Sequence, residues 1–274
     1  MEFLPSYFLP SVVFIFGLII GSFLDVIVCR FHTGKSINGR SRCLSCGHTL
    51  SWFELFPFLS YVVLRGRCRR CEGAIPSRLL VTELLTASIF LLVFFAVGVS
   101  LLLPLSLVLV ALLIVVTLYD YRHMIIPDEL MLLIGVLSVM YVALEYSIGI
   151  EFEVLAYHIL SALGASGFYF LLWLVSKGKW IGLGDAKLAL VLGLFLYPLQ
   201  AFSMVVFSFW IGASISLSLL AIQFILNRGQ KHLPFIPLTL TMKSEVPFAP
   251  FMIVSFCIVF FGHVQVLALL HSLI

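Results

Sequence analysis

The feature that most constrains this chain is a series of apolar runs, most of them long enough to cross a lipid bilayer as a helix. A helical crossing needs about 20 predominantly apolar residues. Of the 274 residues, 62% are hydrophobic and only 11% are charged, whereas soluble domains have about a quarter of their residues charged. We therefore predict an all-α polytopic membrane protein with about eight transmembrane helices. The predicted spans are 7–29, 79–98, 101–119, 129–148, 154–176, 186–199, 201–226 and 248–271.

The basic residues predict how these spans are oriented. Lys and Arg concentrate on the cytoplasmic side of membrane proteins. If the amino terminus lies outside the cytoplasm, eight spans place all 16 Lys and Arg on the cytoplasmic side, in segments 30–78, 120–128, 177–187 and 227–247. Both termini are then predicted to lie outside. The net charge of +3 is explained by this orientation and does not indicate nucleic-acid binding.

Segment 30–78 is the one sizeable soluble piece, and it contains two CxxC motifs. Cys43 and Cys46 form the first motif, and Cys68 and Cys71 form the second, with 21 residues between the two. Four thiolates on two tight turns can complete a tetrahedral zinc site. Disulfide bonds are the rival interpretation, but structural disulfides are rare in the reducing cytosol. We predict a small cytoplasmic loop domain that a structural zinc ion stabilises.

Acidic residues within or at the ends of apolar spans are costly and usually functional. Asp120 lies at the inner end of the third predicted span, and Asp185 at the inner start of the sixth, so both reach the same face of the membrane. Two such carboxylates could hydrolyse a peptide, one activating water while the other donates a proton to the carbonyl oxygen. Gly182 and Gly184 would let the backbone approach a substrate strand closely. The acids at or in the spans are Asp25, Glu83, Asp120, Asp128 and Asp185.

Spacing alone leaves structural roles open for the same acids. Asp185 could be a helix N-cap, and Asp120 could be an interfacial charge near Arg122. Asp128 follows Pro127 and is expected to begin a helix. Glu83 is expected to pair with a basic residue near the start of its span.

Several motifs together resemble those of a known family. GxGD is weak alone, but here it follows a DxxxxxIPD segment and a paired-CxxC loop in a chain with many spans. Over about residues 18–215 the chain resembles the bacterial type IV prepilin peptidases, which are GxGD-type membrane aspartic proteases. The motifs are Gly21-Ser22-Phe23-Leu24, Pro57-Phe58-Leu59-Ser60-Tyr61, Arg65-Gly66-Arg67-Cys68, Glu83-Leu84, Asp120 with Ile126-Pro127-Asp128, and Gly182-x-Gly184-Asp185-x-Lys187-Leu188.

The resemblance implies a membrane endopeptidase of the bacterial inner membrane that uses Asp120 and Asp185. Asp128, Gly182, Gly184 and Lys187 would support that site. The implied substrates are type IV prepilins and the pseudopilins of type II secretion, which lose a short basic leader peptide. The resemblance also implies N-methylation of the new amino terminus by S-adenosylmethionine, linked to the region with the cysteine loop.

The chain departs from the family pattern at Asp25, where an Asn is expected, and no Gly-rich fingerprint identifies residues that bind S-adenosylmethionine. Helix dipoles favour Asp185 as the base, because it begins a helix, and Asp120 as the acid, because it ends one.

We predict three segments: 1–98 with the cysteine loop, 99–226 with the peptidase core, and 227–274. The loop 227–247 carries no recognisable chemistry, and the oligomeric state stays unknown.

Two other functional classes remain as alternatives. An ion-coupled transporter could also carry intramembrane acids, but transporters usually have internal repeats and polar residues at the bilayer midplane. This chain has no evident repeat, and its key acids lie at span ends. A non-catalytic assembly scaffold would need neither acid.

Overall fold

The computed structural model describes residues 7–31, 39–43, 45–147, 152–228 and 246–268. Regular structure in these residues is helical, apart from two isolated β-bridges, and includes one 3₁₀ turn at Trp52–Leu55. The prediction of an all-α chain is confirmed. The α-helices are α1 Phe8–Arg30, α2 Leu59–Val63, α3 Ser77–Val97, α4 Leu102–His123, α5 Asp128–Ser147, α6 Phe152–Ser176, α7 Leu183–Gly193, α8 Pro198–Arg228 and α9 Ala249–Phe260.

Helices form at all eight predicted positions, but they differ in length. Six of those in the described residues, α1, α3, α4, α5, α6 and α8, are long and apolar enough to cross a membrane by length and composition. By contrast, α7 has 11 residues and α9 has 12. The apolar run of α7 is interrupted because Pro198, which lacks an N–H, begins α8. The run of α9 is interrupted by a turn at 261–262, just before His263 adopts a φ of 52°.

The chain divides into two compact units, Met1–Tyr119 and Asp120–Ile274. The first contains the cysteine loop, and the second contains both Asp120 and Asp185. The three predicted segments, 1–98, 99–226 and 227–274, stay a prediction. Most of the predicted loop 227–247 lies outside the described residues.

In the first unit, α1 and α3 pack closely because two glycines of α1 face α3. A Cβ on Gly17 would lie 2.6 Å from the Cα of Ala87, and a Cβ on Gly21 would lie 2.8 Å from the Cα of Glu83. Small residues at such positions are typical of helix pairs in membranes, since they let two backbones approach. This contact fixes the register of α1 against α3.

In the second unit, the short helix α7 packs against α5, α6 and α9. A Cβ on Gly193 would lie only 2.6 Å from the Cα of Ala162 in α6. Leu188, Ala189 and Leu192 of α7 are completely buried. This buried face holds α7 against its neighbours, and Asp185, which is also buried, lies in the first turn of the helix.

The glycine contact between α1 and α3 predicts a large difference between two similar substitutions. Gly17→Leu would force α1 away from α3, and overpacking of this kind costs about 1–3 kcal/mol. Gly164→Leu on α6 is the matched control, because a Cβ there meets nothing within 4 Å. We expect thermal unfolding in detergent to give a clearly lower Tm for Gly17→Leu and a nearly unchanged Tm for Gly164→Leu. Equal Tm values for the two variants would contradict this packing.

Candidate functional site

Asp185 is held at the start of α7 by the backbone of Gly182. The Gly182 N–H donates to the Asp185 carboxylate at 3.1 Å, and the Asp185 N–H donates to the Gly182 carbonyl at 3.2 Å. Gly182 itself occupies the N-cap position, so the alternative that Asp185 is the N-cap is wrong. Asp185 is 8% exposed and lies where the unpaired N–H groups of a helix start favour a negative charge.

Asp120 lies in the last turn of α4 and is 5% exposed. Its carbonyl accepts the N–H of Met124, whose φ of 51° ends the helix. Its carboxylate accepts a hydrogen bond from the backbone N–H of Ala249, the first residue of α9. Its Oδ2 atom has no hydrogen-bond partner among the described residues. Asp120 is therefore a buried acid and not an exposed interfacial charge.

The two carboxylates interact electrostatically, since the charge of Asp120 acts on Asp185. The two residues belong to helices that are not consecutive in the chain. Two buried carboxylates that repel each other favour a state in which only one of them is ionised. The arrangement is therefore capable of acid–base chemistry.

The predicted division into base and acid loses its basis in this geometry. The dipole argument assigned Asp120 the acid role because it ends α4. However, Asp120 also faces the amino-terminal end of α9 through Ala249. Each carboxylate thus accepts an N–H at a helix start, and the dipoles no longer distinguish them.

Two contacts connect α7 to the segment between α4 and α5. A Cβ on Gly184 would lie 3.3 Å from the Cβ of Ile126, so the missing side chain lets the segment approach α7. The Lys187 ammonium donates to Asp128 Oδ1 at 2.6 Å. Asp128 is the first residue of α5, which confirms its prediction as a helix-start residue. Because both partners of the ion pair are well exposed, the pair orients α7 and adds little stability.

Sequence analysis did not identify Tyr169 and Ser208, two residues near this site. Tyr169 of α6 is fully buried, and its hydroxyl lies 2.7 Å from Ser208 Oγ on α8. Ser208 donates to the carbonyl of Val205 at 2.6 Å, so it accepts the proton of Tyr169. The charge of Asp185 acts on Tyr169. A hydroxyl in the middle of an apolar span was the only available signal, and it is common in purely structural roles.

The two CxxC motifs fold into knuckles with the same backbone pattern. In the first, the Cys43 N–H donates to the His48 carbonyl and a bridge joins Arg42 to Thr49. In the second, the Cys68 N–H donates to the Gly73 carbonyl and a bridge joins Arg67 to Ala74. The fourth residue after the first cysteine has a positive φ in both, 69° at Gly47 and 54° at Glu72. Each knuckle therefore presents its two sulfur atoms in the same way.

The four cysteines of the knuckles, Cys43, Cys46, Cys68 and Cys71, meet at one point. Their sulfur atoms all lie within 4.8 Å of one another, and those of Cys43 and Cys71 are 3.8 Å apart. A tetrahedral zinc site with Zn–S bonds of about 2.3 Å has sulfur atoms about 3.8 Å apart. A disulfide requires about 2.05 Å, and these cysteines are not bonded to each other. The cluster can hold a metal ion.

The electrostatics of the cluster also favour a cation. Backbone N–H groups of Cys46 and Ser45 donate to the Cys43 sulfur and lower the pKa of that thiol to about 6. The Gly73 N–H acts to lower the pKa of Cys71, but the neighbouring thiols and desolvation raise it to about 12. The four thiols therefore cannot all ionise at neutral pH without a compensating charge. A bound metal ion supplies that charge and deprotonates its thiol ligands.

Glu83 and Asp25 form a second group of buried acids, and both lie in the first unit. Glu83 accepts the backbone N–H of Phe58 at 2.8 Å and the hydroxyl of Ser22, and the charge of Asp25 acts on it. A basic partner was expected for Glu83. Within the described residues, however, its hydrogen-bond donors are the neutral Phe58 N–H and Ser22 hydroxyl. Glu83 therefore connects α3 both to α1 and to the cysteine loop.

Comparison with family models matches most of the chain. The Bacterial Peptidase A24 N-terminal domain matches residues 15–97, and the Type IV leader peptidase family matches residues 107–217. The first match includes the cysteine loop, and the second includes Asp120 and Asp185. No solved structure matches the chain.

Curated relatives are named prepilin leader peptidase/N-methyltransferase. The protein of Myxococcus xanthus is 34% identical over 79% of this chain, and the match covers 66% of that protein's length. The protein of Aeromonas hydrophila is 30% identical over 83% of this chain and 86% of its own length. The protein of Vibrio cholerae is 28% identical over 90% of this chain and 94% of its own length.

The knuckle geometry predicts which cysteine substitutions remove a bound metal. We expect the purified protein to contain about one transition-metal ion per chain, and Cys43→Ser or Cys68→Ser to lose it, since three thiolates leave the site incomplete. Cys29→Ser, outside the cluster, should retain the metal. Elemental mass spectrometry of the three variants and the wild type measures this. A full metal content in Cys43→Ser, or none in the wild type, would contradict the site.

Proposed function

Because this chain belongs to the type IV leader peptidase family, we propose that it is a membrane aspartic endopeptidase with Asp120 and Asp185 as its catalytic residues. One observation carries this proposal: two buried carboxylates from different helices lie close enough for one to act on the other. No other pair of acids in the second unit's described residues has these properties.

The chemistry follows from a single proton shared by the two carboxylates. The ionised carboxylate takes a proton from water, and the resulting hydroxide attacks the carbonyl carbon of the scissile bond. The protonated carboxylic acid donates to the carbonyl oxygen, which stabilises the tetrahedral intermediate. The C–N bond then breaks as a proton passes to the leaving amine. Both acids return to their initial protonation states when the intermediate collapses.

The surrounding backbone holds the two acids in place without adding charge to the pair. The N–H groups of Gly182 and Ala249 each donate to one carboxylate. Gly184 and the Lys187–Asp128 pair fix the start of α7 against the segment that follows α4. These residues position the catalytic acids and do not themselves transfer protons.

The proposed substrates are prepilins, as the relatives' names and the family model indicate. The resemblance described in the sequence analysis extends this proposal to the pseudopilins of type II secretion. The basic leader of such a substrate stays in the cytoplasm, and the apolar segment that follows it enters the bilayer. A bond between them lies at the cytoplasmic face of the inner membrane. The distribution of Lys and Arg supports this orientation, with both termini outside the cytoplasm and the catalytic acids near the inner face.

A second activity is proposed for the same chain. The relatives' names include N-methyltransferase, and the first unit matches a separate family model. We infer that the new amino terminus of the cleaved substrate is methylated and that S-adenosylmethionine supplies the methyl group.

The metal in the cysteine cluster is proposed to be zinc with a structural role. The sulfur separation of 3.8 Å fits four Zn–S bonds. Four thiolate ligands leave no open position for water, so this ion would organise the loop and would not take part in catalysis.

The proposal predicts that two isosteric substitutions abolish leader removal. Asp120→Asn and Asp185→Asn should each lower the cleavage rate by about 10³-fold or more, because neither acid can replace the other's proton transfer. Cleavage of a prepilin by purified protein in detergent, followed by mass spectrometry, measures this.

Glu153→Gln is the matched control, since it removes an exposed carboxylate of the second unit that takes no part in positioning the two acids. We expect it to cleave at a rate within about threefold of the wild type, as expected for an exposed substitution outside the site. A scaffold or a transporter would give no cleavage even with wild-type protein. Normal cleavage by Asp120→Asn or Asp185→Asn would show that the catalytic residues lie elsewhere.

A further inference from the structure

A cavity of about 730 Å³ lies within the first unit. Its walls are the loop-facing ends of α1 and α3 and the inner side of the cysteine loop. Cavities of about 300–1,000 Å³ are typical of small-molecule and cofactor sites. The proposed peptidase site does not use this cavity, because Asp120 and Asp185 belong to the second unit. Its polar lining residues include Ser22, Asp25, Arg30, Tyr61, Arg78 and Glu83.

The deep part of this cavity carries two acids on neighbouring helices. Asp25 and Glu83 are both more than nine-tenths buried, and the charge of Asp25 acts on Glu83 where Gly21 lets α1 approach α3. The Phe58 N–H and the Ser22 hydroxyl fix the orientation of the Glu83 carboxylate. These two buried carboxylates make the part of the cavity beside α1 and α3 favourable for a positively charged group.

The same cavity offers partners for a negative group and for an aromatic ring. Arg78, at the start of α3, lines it. Arg30 at the end of α1 also lines it, but its guanidinium donates to the carbonyls of Gly39 and Arg40. A guanidinium group is well suited to a carboxylate. Tyr61 of α2 and apolar side chains such as Leu79 line the remaining wall. An occupant with a cationic centre, a carboxylate and a flat aromatic base would match all three features.

We propose that this cavity binds S-adenosylmethionine, with Glu83 and Asp25 facing its positively charged groups. S-adenosylmethionine carries a sulfonium, an ammonium, a carboxylate and an adenine, which are the chemical groups that the lining residues complement. The proposal rests on the N-methyltransferase activity proposed above and names the site where the methyl donor is held.

Glu83 also has a structural contact, so the test must separate binding from stability. Its bond to the Phe58 N–H connects the start of α2 to α3, and a variant could lose affinity through loop movement alone. Comparing the binding of the methyl donor with that of its demethylated product avoids this difficulty. S-adenosylhomocysteine has the same shape as S-adenosylmethionine but lacks the methyl group and the sulfonium charge.

The experiment measures equilibrium binding of both compounds to the full-length protein in detergent. We expect the wild type to bind S-adenosylmethionine at least about tenfold more tightly than S-adenosylhomocysteine, because buried carboxylates discriminate strongly between charged and neutral groups. Glu83→Gln keeps the size of the side chain and should lose most of this preference. Glu153→Gln, which removes an exposed acid from α6, should keep it. If Glu83→Gln acted only by moving the loop, it would weaken the binding of both compounds equally and leave the preference unchanged. That result would overturn the role of Glu83.

A second variant tests the cavity without removing a charge. Ala74 lines the cavity from the cysteine loop, and Ala74→Trp would fill much of it. We expect Ala74→Trp to abolish binding of both compounds while it retains its metal ion. Unchanged binding would overturn the assignment of the cavity.

Wild-type activity in the same preparation keeps this inference separate from the proposed function. If the wild type cleaves and methylates a prepilin but the variants bind S-adenosylmethionine normally, the methyl donor binds elsewhere and only the site is wrong. If the wild type cleaves but neither methylates nor binds S-adenosylmethionine, the second activity itself is wrong, and the site with it.

Discussion

Pairing of buried carboxylates with the backbone at the starts of helices is the interaction on which the functional groups of this protein depend. Ionised carboxylates are costly in apolar surroundings, and the first N–H groups of a helix lack partners within it. Asp185, Asp120 and Glu83 each accept a hydrogen bond from a backbone N–H at such a position. Asp185 accepts from Gly182 before α7, Asp120 accepts from Ala249 at the start of α9, and Glu83 accepts from Phe58 before α2. Short helices that cannot span a membrane by length therefore serve to hold acids in place.

Close helix contacts through small residues make these arrangements possible. Gly21 brings α1 against α3 at Glu83, and Gly193 brings α7 against α6 at Ala162. In both places an added side chain would meet backbone atoms of the facing helix and force the two helices apart. Gly184 has the same effect on a smaller scale, because its missing Cβ admits Ile126 next to the turn that carries Asp185. Conformational freedom is not the reason for these glycines, since each has an ordinary negative φ; the reason is space.

Different interactions stabilise the two units. The second relies on apolar packing around α7, whose Leu188 and Leu192 are fully buried. The cysteine loop of the first has little core of its own, since a segment of this size cannot bury much apolar surface. Its two knuckles instead repeat one backbone pattern around four sulfur atoms. A metal ion bound there would fix the loop above the cavity that contains Glu83.

The sequence by itself determined the helical class, the positions of the helices, the cysteine cluster and which acids lie in or at the ends of apolar runs. These features depend on local composition and spacing, such as the length of an apolar run or the two residues between paired cysteines. Tertiary structure alone decided that Asp120 faces the start of α9, that Glu83 pairs with the Phe58 N–H, and that Tyr169 lies near Asp185. Each of these contacts joins residues far apart in the chain. Their formation depends on how helices pack, and the periodicity of one helix carries no information about which residue of another will lie against it.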